Sequence, residues 1–351
     1  MSNKDLLDNI KKLREMTGVG FKDCKLALDE TKGDIEKSMA FLRESGLAKA
    51  AKKAGNVAAE GLVSILINED FTKATLAEIN SQTDFVAKND DFINLKNEIT
   101  AHVQVTGSTT TEELNSTTIN GTNFEEYLNG RIAIIGENIV ARRMATVSTD
   151  TGVVNGYVHT NGKVGVILSA TCAPEAKEKA AALLKSLGMH AAAMKPSVIS
   201  YEDLDPEFVE SENKAIIADI EKENIELHRL GKPEKNIPLF VSKSQLTEEA
   251  LDAAKADMRT ELLAQGKPEK IIDNILKGKI ERFIEDNTQL DATHALLTQK
   301  FVMDDSKTVA QAIADVDASI KLVDYIKFEL GEGIEKVEED FAAEVAAQMG
   351  K

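Results

Sequence analysis

Ser81-Gln82-Thr83-Asp84-Phe85-Val86-Ala87-Lys88-Asn89-Asp90-Asp91-Phe92 joins two unlike patterns. Before it, Thr72 to Asn80 is an apolar, β-like run. After it, Phe92, Leu95, Lys96 and Ile99 recur at three- and four-residue spacing, as along a helix. Asp84 and Phe85 are thereby predicted on a short turn between strand and helix, where loops on a rigid scaffold often carry function. Asn89, Asp90 and Asp91 read as a helix cap with first-turn acids, satisfying free N–H groups and the helix dipole. A carboxylate beside a bulky aromatic suits a partner contact: the acid competes for a cation or its waters, and the ring enters a pocket. Residue type alone points the other way for Phe85, since phenylalanine is usually buried. Both readings stay open on the residues themselves.

Working outward, Val63, Ile65 and Ile67 alternate, Asn68-Glu69-Asp70 turns, and Ala74 to Ile79 returns as a second strand. Helices around Phe92–Val103 and Tyr127–Ile135 flank Thr106 to Thr122, which has almost no apolar periodicity and reads as a surface loop. A second copy begins near Arg142. Met144–Ser148, Val153–His159 and Val164–Thr171 alternate like strands, Asn161-Gly162 signals a hairpin, and a helix runs from Pro174 to about Met194. Strand, turn, strand, helix thus occurs twice, predicting an α+β multidomain protein with two related subdomains built on antiparallel sheets, residues 60–141 and 142–330.

Further out, residues 1–46 read as a three-helix bundle. Leu6, Leu7, Ile10 and Leu13 form one face, tight glycine turns separate the helices, and Asp34 caps the third, which Gly46 ends. Such a bundle serves as a docking module or as a cap on the core. Residues 47–59, Ala-rich and basic, read as a linker. From Asp205-Pro206-Glu207 to about residue 285, narrow apolar seams with charged flanks predict a coiled-coil helical arm. A helix of ~25 residues reaches roughly 37 Å, so such an arm projects. Gly-Lys-Pro-Glu-Lys occurs at 231 and again at 266. The pair brackets an apparent inserted helix, so excising Lys232 to Gly266 is expected to leave the fold largely intact. Leu297–Met303 and Ala318–Glu329 are expected to complete the second sheet, with a helix near Val309–Ala314 between them. Residues 331–351 close the chain with a C-terminal helix carrying Val337, Phe341 and Val345 on one face.

A net charge of −17 argues against a binder of nucleic-acid backbone, which needs a basic footprint. Two distant thiols, Cys24 and Cys172, offer neither a disulfide framework nor a zinc cluster and fit a reducing compartment. The N-terminus leads to an amphipathic helix rather than an apolar signal core, and no run reaches membrane-spanning length. A cytoplasmic location is expected. No Gly-x-x-x-x-Gly-Lys-[Ser/Thr], His-Glu-x-x-His, Cys-x-x-Cys or Gly-x-Ser-x-Gly occurs, and the five histidines are dispersed. No catalytic residue, metal ligand or cofactor site is predicted.

Thr83-Asp84-Phe85-Val86-Ala87-Lys88-Asn89 resembles the T-D-F-V-A-K-[ND] signature of the bacterial elongation factor Ts family, guanine-nucleotide exchange factors of elongation factor Tu. Met16-Thr17-Gly18-Val19-Gly20, Asp23-Cys24-Lys25, Ala51-Lys52-Lys53-Ala54-Gly55, Gly136-Glu137-Asn138-Ile139, Arg142-Arg143 and Gly331-Glu332-Gly333-Ile334-Glu335-Lys336-Val337 resemble family segments in family order. The resemblance implies that the first bundle is similar to ubiquitin-associated (UBA) domains. It implies elongation factor Tu as partner, GDP-bound and nucleotide-free, with no direct nucleic-acid or membrane contact. Thr83, Asp84, Phe85 and Val86 are then the partner-binding group, with Phe85 as a wedge in the GTP-binding domain and Asp84 disturbing its Mg²⁺ site. Val164 and His190 are implied to face the partner's β-barrel domain, and Val337 and Phe341 to dock through the tail.

Two other classes compete. An adaptor would bind through bundle and arm without releasing nucleotide. An acid–base hydrolase would use Asp84 with Asp90 or Asp91 and turn over a small substrate alone.

Overall fold

In the computed structural model, which describes residues 3–334, the chain opens with three helices: α1 (Asn3–Thr17), α2 (Phe21–Glu30) and α3 (Ile35–Lys53). They share one apolar cluster of Ile10, Leu13, Cys24, Ala27, Leu28 and Leu42. Asp34 caps α3, accepting from the Lys37 N–H at 3.1 Å. The expected stop at Gly46 does not occur, and half of the predicted linker is helical. Gly46 is buried, and a Cβ there would lie 3.3 Å from the Ala133 Cβ. This glycine therefore serves close helix packing instead of termination.

Next come β1 (Glu60–Ile67), β2 (Lys73–Ser81), α4 (Asp90–Thr106), α5 (Thr111–Asn115), β3 (Thr118–Ile119), β4 (Thr122–Asn123), α6 (Phe124–Ile135) and β5 (Ile139–Ser148). The first sheet is antiparallel in the order β1-β2-β5. The boundary expected at Arg142 falls inside β5, because Met144–Ser148 pairs with β2 and closes this sheet. On one face Ala77, Ile79, Ile139 and Met144 meet Phe92, Leu95, Ile99 and Val103 of α4. On the other, Val63, Ala74, Leu76 and Val147 meet Val154, Ile167 and Phe328. Each fully buried Leu, Ile or Phe contributes about 1.5–3 kcal/mol, so this strand-to-helix unit is a rigid base for the turn between β2 and α4. Thr106–Thr122 is not a bare loop. Thr110 caps α5, and the buried Leu114 and Ile119 reach the same core, an anchoring too short to register as periodicity.

The chain continues through β6 (Gly152–Val158), β7 (Val164–Thr171), α7 (Lys177–Met194), α8 (Pro206–Arg229), α9 (Glu248–Ala264), α10 (Glu269–Asp286), α11 (Gln289–His294), β8 (Lys300–Phe301), β9 (Asp304–Thr308), α12 (Val309–Val316) and β10 (Lys321–Glu329). A second three-stranded sheet has the order β10-β7-β6. Only β10 joins it from the C-terminal strands, since β8 and β9 pair with each other. By contacts the described residues divide into two units: 3–150 with 154–167 and 326–334, and 151–153 with 168–325. Among the described residues no helix is long and apolar enough to cross a membrane.

The twin pentapeptides end α8 and α9 in the same way. Gly231 and Gly266 sit at φ +63° and +71°, and the following Lys232 and Lys267 N–H groups donate back to Leu227 and Leu262. That is the Schellman stop, which needs a left-handed residue and so favours glycine. α9 and α10 pack together, burying Leu262 and Ile272. The bracketed stretch is not a removable insertion. Val241 is fully buried with Leu204, Val209 and Leu290, and Asn287 Oδ1 accepts from the Leu239 and Phe240 N–H groups at 2.7 and 3.0 Å. Asp291 accepts from the Lys243 N–H at 2.7 Å. Excising Lys232 to Gly266 would remove part of this core.

Candidate functional site

β2 ends at Ser81, a 3-10 turn spans Val86–Lys88, and Asn89 caps α4 by accepting from the Asp91 N–H at 2.8 Å. Between them, the Thr83 N–H and hydroxyl both donate to the Glu137 carboxylate, at 3.0 and 2.7 Å. The same hydroxyl accepts from the Val86 N–H at 3.4 Å, and Ser81 Oγ donates to the Thr83 carbonyl at 3.0 Å. The turn is therefore held by its backbone and by Thr83. Phe85 is left outside: its side chain is 79% exposed, while its backbone rests in ordinary helical conformation at φ −66°, ψ −44°. Phe92, seven residues on, is completely buried. Val86 is half-buried behind the turn.

Asp84 is half-exposed, with Lys88 Nζ 2.7 Å from its Oδ2. The hydrogen bond from Lys88 holds the Asp84 carboxyl below the usual carboxylate range, aided by the positive charge of Lys163. An acid held low is ionised at neutral pH, the opposite of what a general acid needs there. Asp84 is therefore no candidate for the acid of a hydrolase pair, and Asp90 and Asp91 are solvent-exposed first-turn acids of α4. Lys88 also lies 5.9 Å from the centre of the Phe85 ring, so one cation spans the aromatic and the acid.

Lys163 belongs to the β6–β7 hairpin tip. The Gly162 carbonyl there accepts from the Val63 N–H at 2.7 Å, and Lys163 Nζ lies 3.3 Å from Glu60. Val164, half-buried, follows directly. The fold thus brings the hairpin tip within electrostatic reach of Asp84. His190 behaves differently. It is fully buried, its Nδ1 accepts from the Val302 N–H at 3.1 Å, and its Nε2 lies 3.0 Å from Gln299 Oε1. Burial pushes its pKa down. A ring with no exposed surface cannot touch a partner, so the expected contact through the His190 side chain is corrected to a core role. Val337 and Phe341 lie outside the described residues.

The Elongation factor TS family model matches residues 82–238 and 235–332. A protein named Elongation factor Ts from Aliarcobacter butzleri is 66% identical over 342 residues, covering 97% of this chain and 98% of the relative. Like-named proteins of Campylobacter curvus and Campylobacter hominis are 55% and 53% identical at the same coverage. The chain belongs to the elongation factor Ts family. Its role is accordingly that of a translation elongation factor.

Several family segments named from sequence acquire a physical reason here. Arg142-Arg143 faces Glu78, a fully buried carboxylate on β2. Consecutive strand residues normally point to opposite faces, but the register slips at this point, and the bulge lets both guanidinium groups reach one acid, at 3.2 and 2.5 Å. Arg142 also donates to the Glu332 carbonyl at 2.6 Å, and Gly331 N–H to Glu78 at 2.9 Å. This ion cluster pins the start of the Gly331-Glu332-Gly333 segment. The residue pattern alone marks neither Glu78 nor Glu137 as a site residue. A lone acid in an apolar strand opposite an arginine pair, and an acid just after a glycine helix stop, were the available signals.

Proposed function

We propose that this protein binds elongation factor Tu in its GDP-bound and nucleotide-free forms and accelerates GDP release. It acts as an exchange factor rather than as an enzyme, works in the cytoplasm and uses no cofactor. The observation that carries this reading is a family-signature turn that leaves Phe85 79% exposed beside an ionised Asp84. Such exposure contributes little to folding, whereas an aromatic wedge must be available before its partner arrives. In this reading Phe85 enters the GTP-binding domain, Asp84 disturbs the ligand shell of its Mg²⁺, and Thr83 and Val86 set and back the turn. Lys88 satisfies Asp84 until the partner takes its place.

Release follows from linkage: a factor that prefers the nucleotide-free partner weakens nucleotide binding by the same ratio. A shift of ~10⁴-fold requires about 5.5 kcal/mol of differential binding, more than the roughly 1.5–3 kcal/mol from burying one Phe. A wide interface is therefore part of the proposal. The UBA-like bundle, Val164 at the hairpin tip, the coiled-coil arm and a tail presenting Val337 and Phe341 supply it. The test is release of fluorescent GDP from elongation factor Tu with and without this protein. Binding without acceleration would favour the adaptor reading.

A further inference from the structure

We propose that the turn Gly136-Glu137-Asn138, between α6 and β5, sets the position of the exchange loop, with Glu137 as a positioning residue for Asp84 and Phe85. The inference rests on the exchange reading of that pair. Phe85 is nearly free of its own protein, so its packing cannot fix where the loop stands. The position must come from the residues on either side. On the far side the 3-10 turn and the Asn89 cap tie the chain to α4. On the near side the hold is Thr83, whose N–H and O–H both end on one carboxylate, Glu137, at 3.0 and 2.7 Å. Two bonds to a charged acceptor fix an orientation as well as a distance.

The neighbouring residue extends the brace. Asn138 N–H donates to Gln82 Oε1 at 2.8 Å, and its side-chain amide donates to the Asn56 carbonyl at 2.8 Å, just past the end of α3. Gly136 stops α6 in the left-handed region at φ +89°, which turns Glu137 and Asn138 out of the helix. α6 itself packs on α3, where Gly46 faces Ala133. One turn therefore holds the loop and also contacts the exit of the first bundle. A purely structural Glu137 would satisfy the Thr83 donors without affecting nucleotide release.

The experiment measures release of fluorescent GDP from elongation factor Tu across a range of concentrations of this protein, with melting measured alongside. Glu137→Gln keeps the side-chain shape but leaves one of the two Thr83 donors without its acceptor. Maximal stimulated release should fall about tenfold, the scale of a lost hydrogen bond to a charged group, while the half-saturating concentration changes less than about twofold. Thr83→Val removes the hydroxyl, both the donor to Glu137 and the long contact from the Val86 N–H, keeps the backbone bond to Glu137, and gives a second route should Glu137→Gln fold poorly. Combined, the two substitutions should cost no more than the larger alone. In an Asp84→Ala, Phe85→Ala background Glu137→Gln should add nothing further. Normal exchange by folded Glu137→Gln and Thr83→Val proteins, or an undiminished effect of Glu137→Gln in that background, would overturn the brace alone. Normal exchange by the Asp84→Ala, Phe85→Ala protein itself would overturn both the brace and the exchange reading.

Discussion

Phe85 and His190 both sit in segments that family resemblance directs toward the partner, yet the molecule treats them in opposite ways. Phe85 is 79% exposed and His190 not at all. The aromatic is held out by hydrogen bonds made by its neighbours, whereas the imidazole is held in by bonds to Gln299 and Val302. A side chain kept on the surface without packing contributes little to folding and stays accessible. A fully buried, doubly bonded ring contributes to folding, and it influences a partner only through the shape of the surface above it.

The largest effect that sharpens this contrast compares like with like. Phe92→Ala empties a filled core position and should cost roughly 3–5 kcal/mol, whereas Phe85→Ala should stay within about 0.5 kcal/mol. Urea unfolding of the two variants measures both, and equal costs would break the comparison. Next in size is His190→Ala. It removes the acceptor of the Val302 N–H and strands the side-chain carbonyl of the buried Gln299, a group worth about 1–3 kcal/mol when left unpaired in the interior, so a marked fall in melting temperature is expected.

A subtler effect comes from pH. Burial holds the folded His190 pKa below its ordinary value, and its hydrogen bonds need the neutral ring. The unfolded chain then takes up the proton first as pH falls. His190 thus contributes stability that is present above the unfolded histidine pKa of about 6.5 and is lost as pH drops through its lowered folded value. The dependence cannot exceed about 1.4 kcal/mol per pH unit, and a His190→Gln protein should lack that part of the slope. An unchanged slope would mean that the ring is accessible after all. Smallest of all, Asp84→Ala removes an exposed, solvent-screened ion pair with Lys88, and its melting temperature should match that of the parent protein.

Much of this organisation is legible in the residues. Strand alternation before Ser81 and helical spacing after Phe92 locate the turn, and Asp34, Asn89 and Asp205 cap helices as their positions predict. What could not be read depends on tertiary neighbours. Gly46 looks like a stop, but the facing Ala133 makes it a packing site. Gly231 and Gly266 are true stops, yet the stretch between them carries Val241 into a core that only the folded chain assembles. The exposure of Phe85 is of the same kind. Residue type argues for burial, and only the bonds from Thr83 to Glu137, 54 positions away, account for a turn that stays ordered without it.

The most direct test of the wedge role proposed for Phe85 is GDP release from elongation factor Tu by the Phe85→Ala protein, measured beside its melting curve. Release should be clearly slower with melting unchanged from the parent protein, and the contribution of Asp84 should shrink once free Mg²⁺ has been chelated. A Phe85→Ala protein that melts far lower, yet exchanges at the parent rate while folded, would contradict that role.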